Sequence, residues 1–151
     1  MANLYGVNAT KWLAKPMQLA EQGHQSGAIK VAFDTYTTLG ALTDETIHFG
    51  KIPAGARVID CRVYFTDLDT SGGTLDIGWT AGAKGTEAVD LTGLASNLAV
   101  TSAGVYSMFT TASTSTGFQK TFVEEVQVIV TVDGDLDAAG TIKVEVLYVI
   151  D

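Results

Sequence analysis

Across residues 44–65, DETIHFGKIPAGARVIDCRVYF, apolar side chains recur at nearly every second position on both sides of a Pro-Ala-Gly break, a period that suits a strand and not a helix. Before the break, Ile47, Phe49 and Ile52 supply strand-type positions. After it, Ile59, Cys61, Val63 and Phe65 alternate with Asp60, Arg62 and Tyr64, which predicts one buried face. Pro53 and Gly55 supply the turn. The segment reads as two strands joined as a hairpin, and it offers no catalytic constellation.

The same period governs most of the chain beyond residue 27. In AIKVAFDTYTT, Ile29, Val31 and Phe33 share one face, with Lys30 and Asp34 on the other. Further strands are predicted at 45–51, 57–67, 74–80, 105–111, 118–122, 124–132 and 141–150, about eight in all with turn-rich spacers. The 20 threonines suit a pleated, half-wet surface better than a helix. Residues 81–104, AGAKGTEAVDLTGLASNLAVTSAG, break the pattern, because Val89, Leu91, Leu94 and Leu98 do not alternate. They read as a long crossover with a short helical turn. Eight short strands with such a crossing favour an eight-stranded jelly-roll-like β-sandwich over an up-and-down barrel. In the last strand, TIKVEVLYVID, Ile142, Val144, Val146, Tyr148 and Ile150 form one face, and Leu147 and Val149 make the second face apolar as well. That second face predicts a covered strand or an oligomer contact at Leu147 and Val149.

Residues 1–27 have another texture: Leu4, Tyr5, Val7, Trp12, Leu13, Met17 and Leu19 are scattered among Gly6, Pro16, Gly23 and Gly27. Pro16 costs a helix interior ~3 kcal/mol, and no period continues past it. The expected organisation is an extended arm over 1–27, its apolar residues laid across a partner's surface, followed by a sandwich domain over 28–151.

Size and charge narrow the function classes. A chain of 151 residues buries about 68–70% of its unfolded surface and needs no metal or disulfide staple. Its hydrophobic content of 46% and charged content of 17%, against about 25% in ordinary soluble domains, predict surface hidden against partners. No apolar run reaches the ~18 residues of a membrane-spanning helix, and the start lacks a secretory pattern, so synthesis in the cytosol is expected. The net charge is −8; Lys11, Lys15 and Glu21 give the arm +1, which leaves −9 on the body. An acidic body with seven scattered Lys and Arg residues argues against nucleic-acid binding.

Catalytic and metal chemistry find little to use. The only imidazoles are His24, in a Gly- and Gln-rich hinge, and His48, an ordinary polar face position on a strand. The single cysteine, Cys61, reads as a small buried hydrophobe. No HxH, HExxH or CxxC motif is present, so no catalytic residue, metal ligand set or cofactor is assigned. Asp133, Asp135 and Asp137 are spaced like carboxylates of a calcium loop, with Asp67 and Asp69 in another turn, but Ala138 stands where Gly is wanted and Val144 where a bidentate Glu is wanted. A solvated turn is the expected reading. Asp60, Asp76, Glu124 and Glu125 are weighed as a glycosidase pair, and Trp12 and Trp79 as sugar-stacking rings. Surface solvation and core filling are the commoner fates.

The phrases MANLYGVNATK, KVAFDTYT, FGKIPAGARVIDCRVYF, TLDIGWT and TIKVEVLYVID together resemble small capsid decoration, or cement, proteins of tailed bacteriophages, over nearly the whole chain. The resemblance implies a non-enzymatic virion protein, assembled in the host cytoplasm, that sits as a homotrimer on the outer capsid surface and clamps neighbouring major capsid subunits. It implies an anchoring role for residues 1–27 and an exposed acidic body; from charge and hydropathy, neither a nucleic-acid nor a membrane partner is expected. Two alternatives stay open: a head-fibre or adhesin-type carbohydrate-binding sandwich, and a jelly-roll polysaccharide-active enzyme.

Overall fold

In a computed structural model, residues 3–5, 28–111 and 115–150 are described, and they form a β-sandwich. The strands are β1 (Asn3–Tyr5), β2 (Lys30–Thr38), β3 (Leu42–Thr43), β4 (Thr46–Ile52), β5 (Ala56–Phe65), β6 (Thr74–Trp79), β7 (Asp90–Ala99), β8 (Gly104–Ser107), β9 (Val126–Asp133), β10 (Asp135–Leu136) and β11 (Gly140–Ile150). A five-stranded sheet runs β1-β4-β9-β6-β7, and a four-stranded sheet runs β2-β11-β5-β8. The short strands β3 and β10 pair with each other. Among the eight longer strands, β2 pairs with β11, β4 with β9, β5 with β8 and β6 with β7, all antiparallel. These are nested pairs, the pattern left when one long antiparallel hairpin is wound into two layers.

The core lies between the layers. Ile47, Phe49 and Ile52 of β4 with Val126, Val128, Val130 and Val132 of β9 face Val58, Cys61 and Val63 of β5 and Ile142, Val144 and Val146 of β11. Each fully buried branched side chain contributes about 1.5–3 kcal/mol relative to exposure. Burial also pushes the Cys61 thiol well above its ordinary pKa, so it behaves as a small apolar side chain.

Three local expectations are corrected. The 44–65 segment is no hairpin: β4 and β5 belong to different sheets, and the turn at Pro53–Gly55, with Gly55 at φ +80°, carries the chain across the sandwich edge. Turn chemistry specifies reversal, whereas pairing is chosen by which neighbour completes the buried face. Within β5 the alternation slips at a bulge opposite Leu147 and Tyr148, so Val58 and Cys61 point inward and Ile59 is the extra, half-buried residue. Residues 118–122 form a strand-like rung, not a strand. Val58 N–H donates to Lys120 C=O at 2.9 Å, Phe122 N–H donates to Ala56 C=O at 2.9 Å, and one antiparallel bridge joins Arg57 to Thr121.

The largest correction is β7, which occupies the stretch expected to be a crossover. Trp79 pairs with Asp90, Ile77 with Ala95 and Leu75 with Leu98, so extra residues on β7 bulge out between rungs and erase its period. Two glycines permit the approach. A Cβ on Gly78 would lie 1.9 Å from Asp90 C=O, and one on Gly93 would lie 2.1 Å from the Trp79 ring. Trp79 is buried against Phe122 at 5.0 Å, and its indole N–H donates to Ala88 C=O at 3.0 Å.

Candidate interaction surfaces

The outer face of the four-stranded sheet is where apolar residues stand in water. On edge strand β2 the inward positions are Ala32, Asp34, Tyr36 and Thr38, so Ile29, Val31 and Phe33 point outward, at 59%, 49% and 47% exposure. Register places Leu147 opposite Val31, and Val149, on the same face of β11, opposite Arg57 of β5. The two residues expected as oligomer contacts are therefore brought beside an exposed stripe. Both are half-buried. Val105 of β8, 67% exposed, lies across the sheet on the same side.

The rest of this face is polar. Asp60, almost fully buried, accepts from Arg62 Nε, Ser107 Oγ and Phe109 N–H, each at 3.0 Å, which ties β5 to the end of β8. Tyr64 OH donates to Glu145 Oε2 at 3.4 Å. An apolar stripe bordered by fixed polar groups is the composition of an interface core with its rim.

The second surface is the β4 edge. Asn3, Leu4 and Tyr5 pair in parallel with Thr46, Ile47 and His48. Leu4 packs against the core, and the Tyr5 ring stacks on His48 at 5.2 Å and 29°. His48 is thus no solvated face residue: it is half-buried, and its Nδ1 is shut off from solvent with no hydrogen-bond partner among the described residues. Of the predicted anchoring residues, Leu4 and Tyr5 lie on the chain's own sheet edge, while Val7, Trp12, Leu13, Met17 and Leu19 lie outside the described residues.

The carboxylates weighed for catalysis each have partners within the chain. Asp76 accepts Asn97 N–H at 2.7 Å, and Glu125 pairs with Lys51 at 2.6 Å on the surface. Glu124 accepts the N–H groups of Lys84 at 2.8 Å and Thr86 at 2.9 Å. Its bond to Thr86, opposed by burial and helped by Lys84, holds its carboxyl below the usual range. Burial works against ionisation of neighbouring Glu87, but Val123 N–H at 2.8 Å and Lys120 at 3.0 Å outweigh it and keep that carboxyl low as well. Asp69 is fully buried, and its carboxyl is held far below the usual range, first by Gly73 N–H and then by Ser71 and Gly72. In the adjoining loop Asp137 accepts Thr70 N–H at 3.0 Å and the Thr70 hydroxyl. At Asp69 and Asp137 the carboxylate oxygens meet N–H and O–H donors. Among the described residues no three His, Cys, Asp or Glu side chains converge as a metal site. Trp79, 3% exposed with Lys120 over its ring at 5.6 Å, leaves no face for a sugar.

No protein-family model and no curated protein matches the sequence. Solved structures do match. A chain of the capsid of Ralstonia phage GP4 is similar at a TM-score of 0.74 and 20% identity, with 99% of each chain covered. A chain of the cyanophage Pam1 capsid asymmetric unit is similar at a TM-score of 0.64 and 23% identity, covering 91% of this chain and 96% of that one. This is a fold found in phage capsids. At the level of fold, these neighbours are consistent with the sequence resemblance to phage capsid-associated proteins. No helix among the described residues is long and apolar enough to cross a membrane.

Proposed function

We propose that the chain is a non-enzymatic virion structural protein that binds the outer capsid surface as a homotrimer and stabilises the shell by clamping neighbouring major capsid subunits. The observation that carries this reading is the end-to-end match, 99% of both chains, to a chain in the capsid of Ralstonia phage GP4. The outer face bearing Ile29, Val31, Leu147 and Val149 supplies the contact between copies, and the leader supplies the grip on the shell. The acidic body, −8 over the chain, faces outward and disfavours nucleic acid.

Multivalency is the mechanism. Burying Trp12 removes ~200 Å² from water, worth ~5 kcal/mol before ordering costs, which can cancel the gain for one arm. Several arms on one oligomer turn weak contacts into durable attachment through effective concentration. The test is co-sedimentation with shells lacking the protein, comparing the natural chain with a Trp12→Ser, Leu13→Ser, Met17→Ser, Leu19→Ser variant. Loss of binding with unchanged mass and circular dichroism is expected; binding at full strength would overturn the clamp.

A further inference from the structure

We propose that Asn3–Tyr5 of one copy forms the parallel edge strand on β4 of a second copy, so that neighbouring subunits are joined by exchanged amino-terminal strands. The inference rests on the oligomeric part of the reading above and names what the first residues of the leader grip.

Three observations lead to it. First, β1 is only three residues long, and among the described residues it pairs with β4 alone. Its anchors, Leu4 over the core margin and Tyr5 on His48, are the same contacts whichever copy supplies the strand. The contact energy is therefore neutral between closing on itself and closing on a neighbour, and effective concentration decides. Second, 24 residues separate Tyr5 from β2, a length that extends to at most ~86 Å and is enough to reach an adjacent subunit. Third, β2 packs beside β4, so the strand leaving this connection lies on the same flank as the β1 slot. That strand is itself a sheet edge, and Ile29, just before it, and Val31, near its start, stand in water. A neighbour delivering its β1 to this flank is brought against the stripe. Self-closure leaves the stripe bare.

Disulfide trapping tests the exchange. Tyr5→Cys and His48→Cys single variants, co-expressed in equal amounts, are oxidised and run without reductant; the buried Cys61 stays inert. An Asn3→Cys and Thr46→Cys pair repeats the experiment one rung pair away, and circular dichroism checks each fold. The expected result is covalent dimers between the two single variants, with peptide mass placing the link between the substituted position on β1 and the substituted position on β4. A Tyr5→Cys, His48→Cys double variant that links only within single chains, in a sample whose native mass is oligomeric, overturns the exchange and leaves the oligomer standing. No link from either pair overturns it too, because β1 then does not occupy β4. A monomeric native mass removes the oligomer and the exchange together.

Discussion

The two outer faces of the sandwich are mismatched with their chemistry. On the five-stranded sheet the outward row of β4 and β9 contains His48, Ile129 and Thr131, yet Ile129 is 3% exposed, and His48 Nδ1 and Thr131 Oγ1 are shut off from water without hydrogen-bond partners among the described residues. On the four-stranded sheet the outward row of β2 is Ile29, Val31 and Phe33, about half in water. The first face is covered at Ile129, beside two polar atoms that lack partners among the described residues, each costing about 1–3 kcal/mol. The second carries an apolar stripe left open. A single subunit gains nothing from that arrangement, whereas a subunit that meets another copy gains an interface core.

Placing a charge on each face should separate them most sharply. Ile129→Asp puts a carboxylate where only 3% of the residue meets solvent, and an unpaired buried charge costs more than most domains can spare. The expected outcome is an unfolded or insoluble chain by circular dichroism. A natively folded variant with unchanged melting would mean that this face is open after all. Val31→Asp should fold within about 1 kcal/mol of the natural chain, since a strand substitution at an exposed edge position spans about that range. Its self-association by sedimentation velocity should weaken at least about ten-fold, roughly 1.4 kcal/mol. Unchanged association would remove the stripe from the interface.

A gentler pair sharpens the same contrast. Ile129→Ala should cost about 2–5 kcal/mol in urea unfolding, the usual loss for a buried aliphatic truncation. Val31→Ala should cost within about 0.5 kcal/mol, as surface changes do. Equal losses would show that both faces are filled to the same degree.

The sequence discloses the period of these strands far better than their partners. β9 and β11, central in their sheets, keep their period because the extra residues at the bulges beside them lie on β4 and β5, and their inward residues are legible from spacing alone. Spacing also groups Ile29, Val31 and Phe33 on one face. It does not say that this face looks outward, because Ala32, Asp34, Tyr36 and Thr38 fill the flank of the core with less apolar volume. β7 is hidden for a different reason. Its bulges against β6 break every rule of alternation, and the clues that remain, Gly78 and Gly93, record backbone contact with a strand that spacing does not identify. Leu147 and Val149 are legible as a second apolar face of β11, yet their neighbour Val31 is brought beside them only by register between distant segments.

A further contrast belongs to neither face but to the loops at one end, which carboxylates hold where the faces rely on apolar packing. Glu124 and Glu87 both keep folded-state pKa values below the ordinary glutamate value of 4.5, the first through Thr86 and Lys84, the second through Val123 and Lys120 against the pull of burial. Groups lowered in the folded state contribute stability that is complete above the unfolded value and is lost as pH falls through the folded one. Urea midpoints measured from about pH 7 to pH 3 should therefore hold steady down to about the ordinary glutamate value and decline below it. Glu124→Gln keeps the shape but cannot ionise, so its midpoint should be lower near neutrality and its acid decline shallower than that of the natural chain. Ile129→Ala, which removes only apolar contact, should shift the whole curve downward without changing its slope. If Glu124→Gln kept the natural slope, the carboxylate would not be what holds residues 84–86 against the strand-like rung that precedes β9.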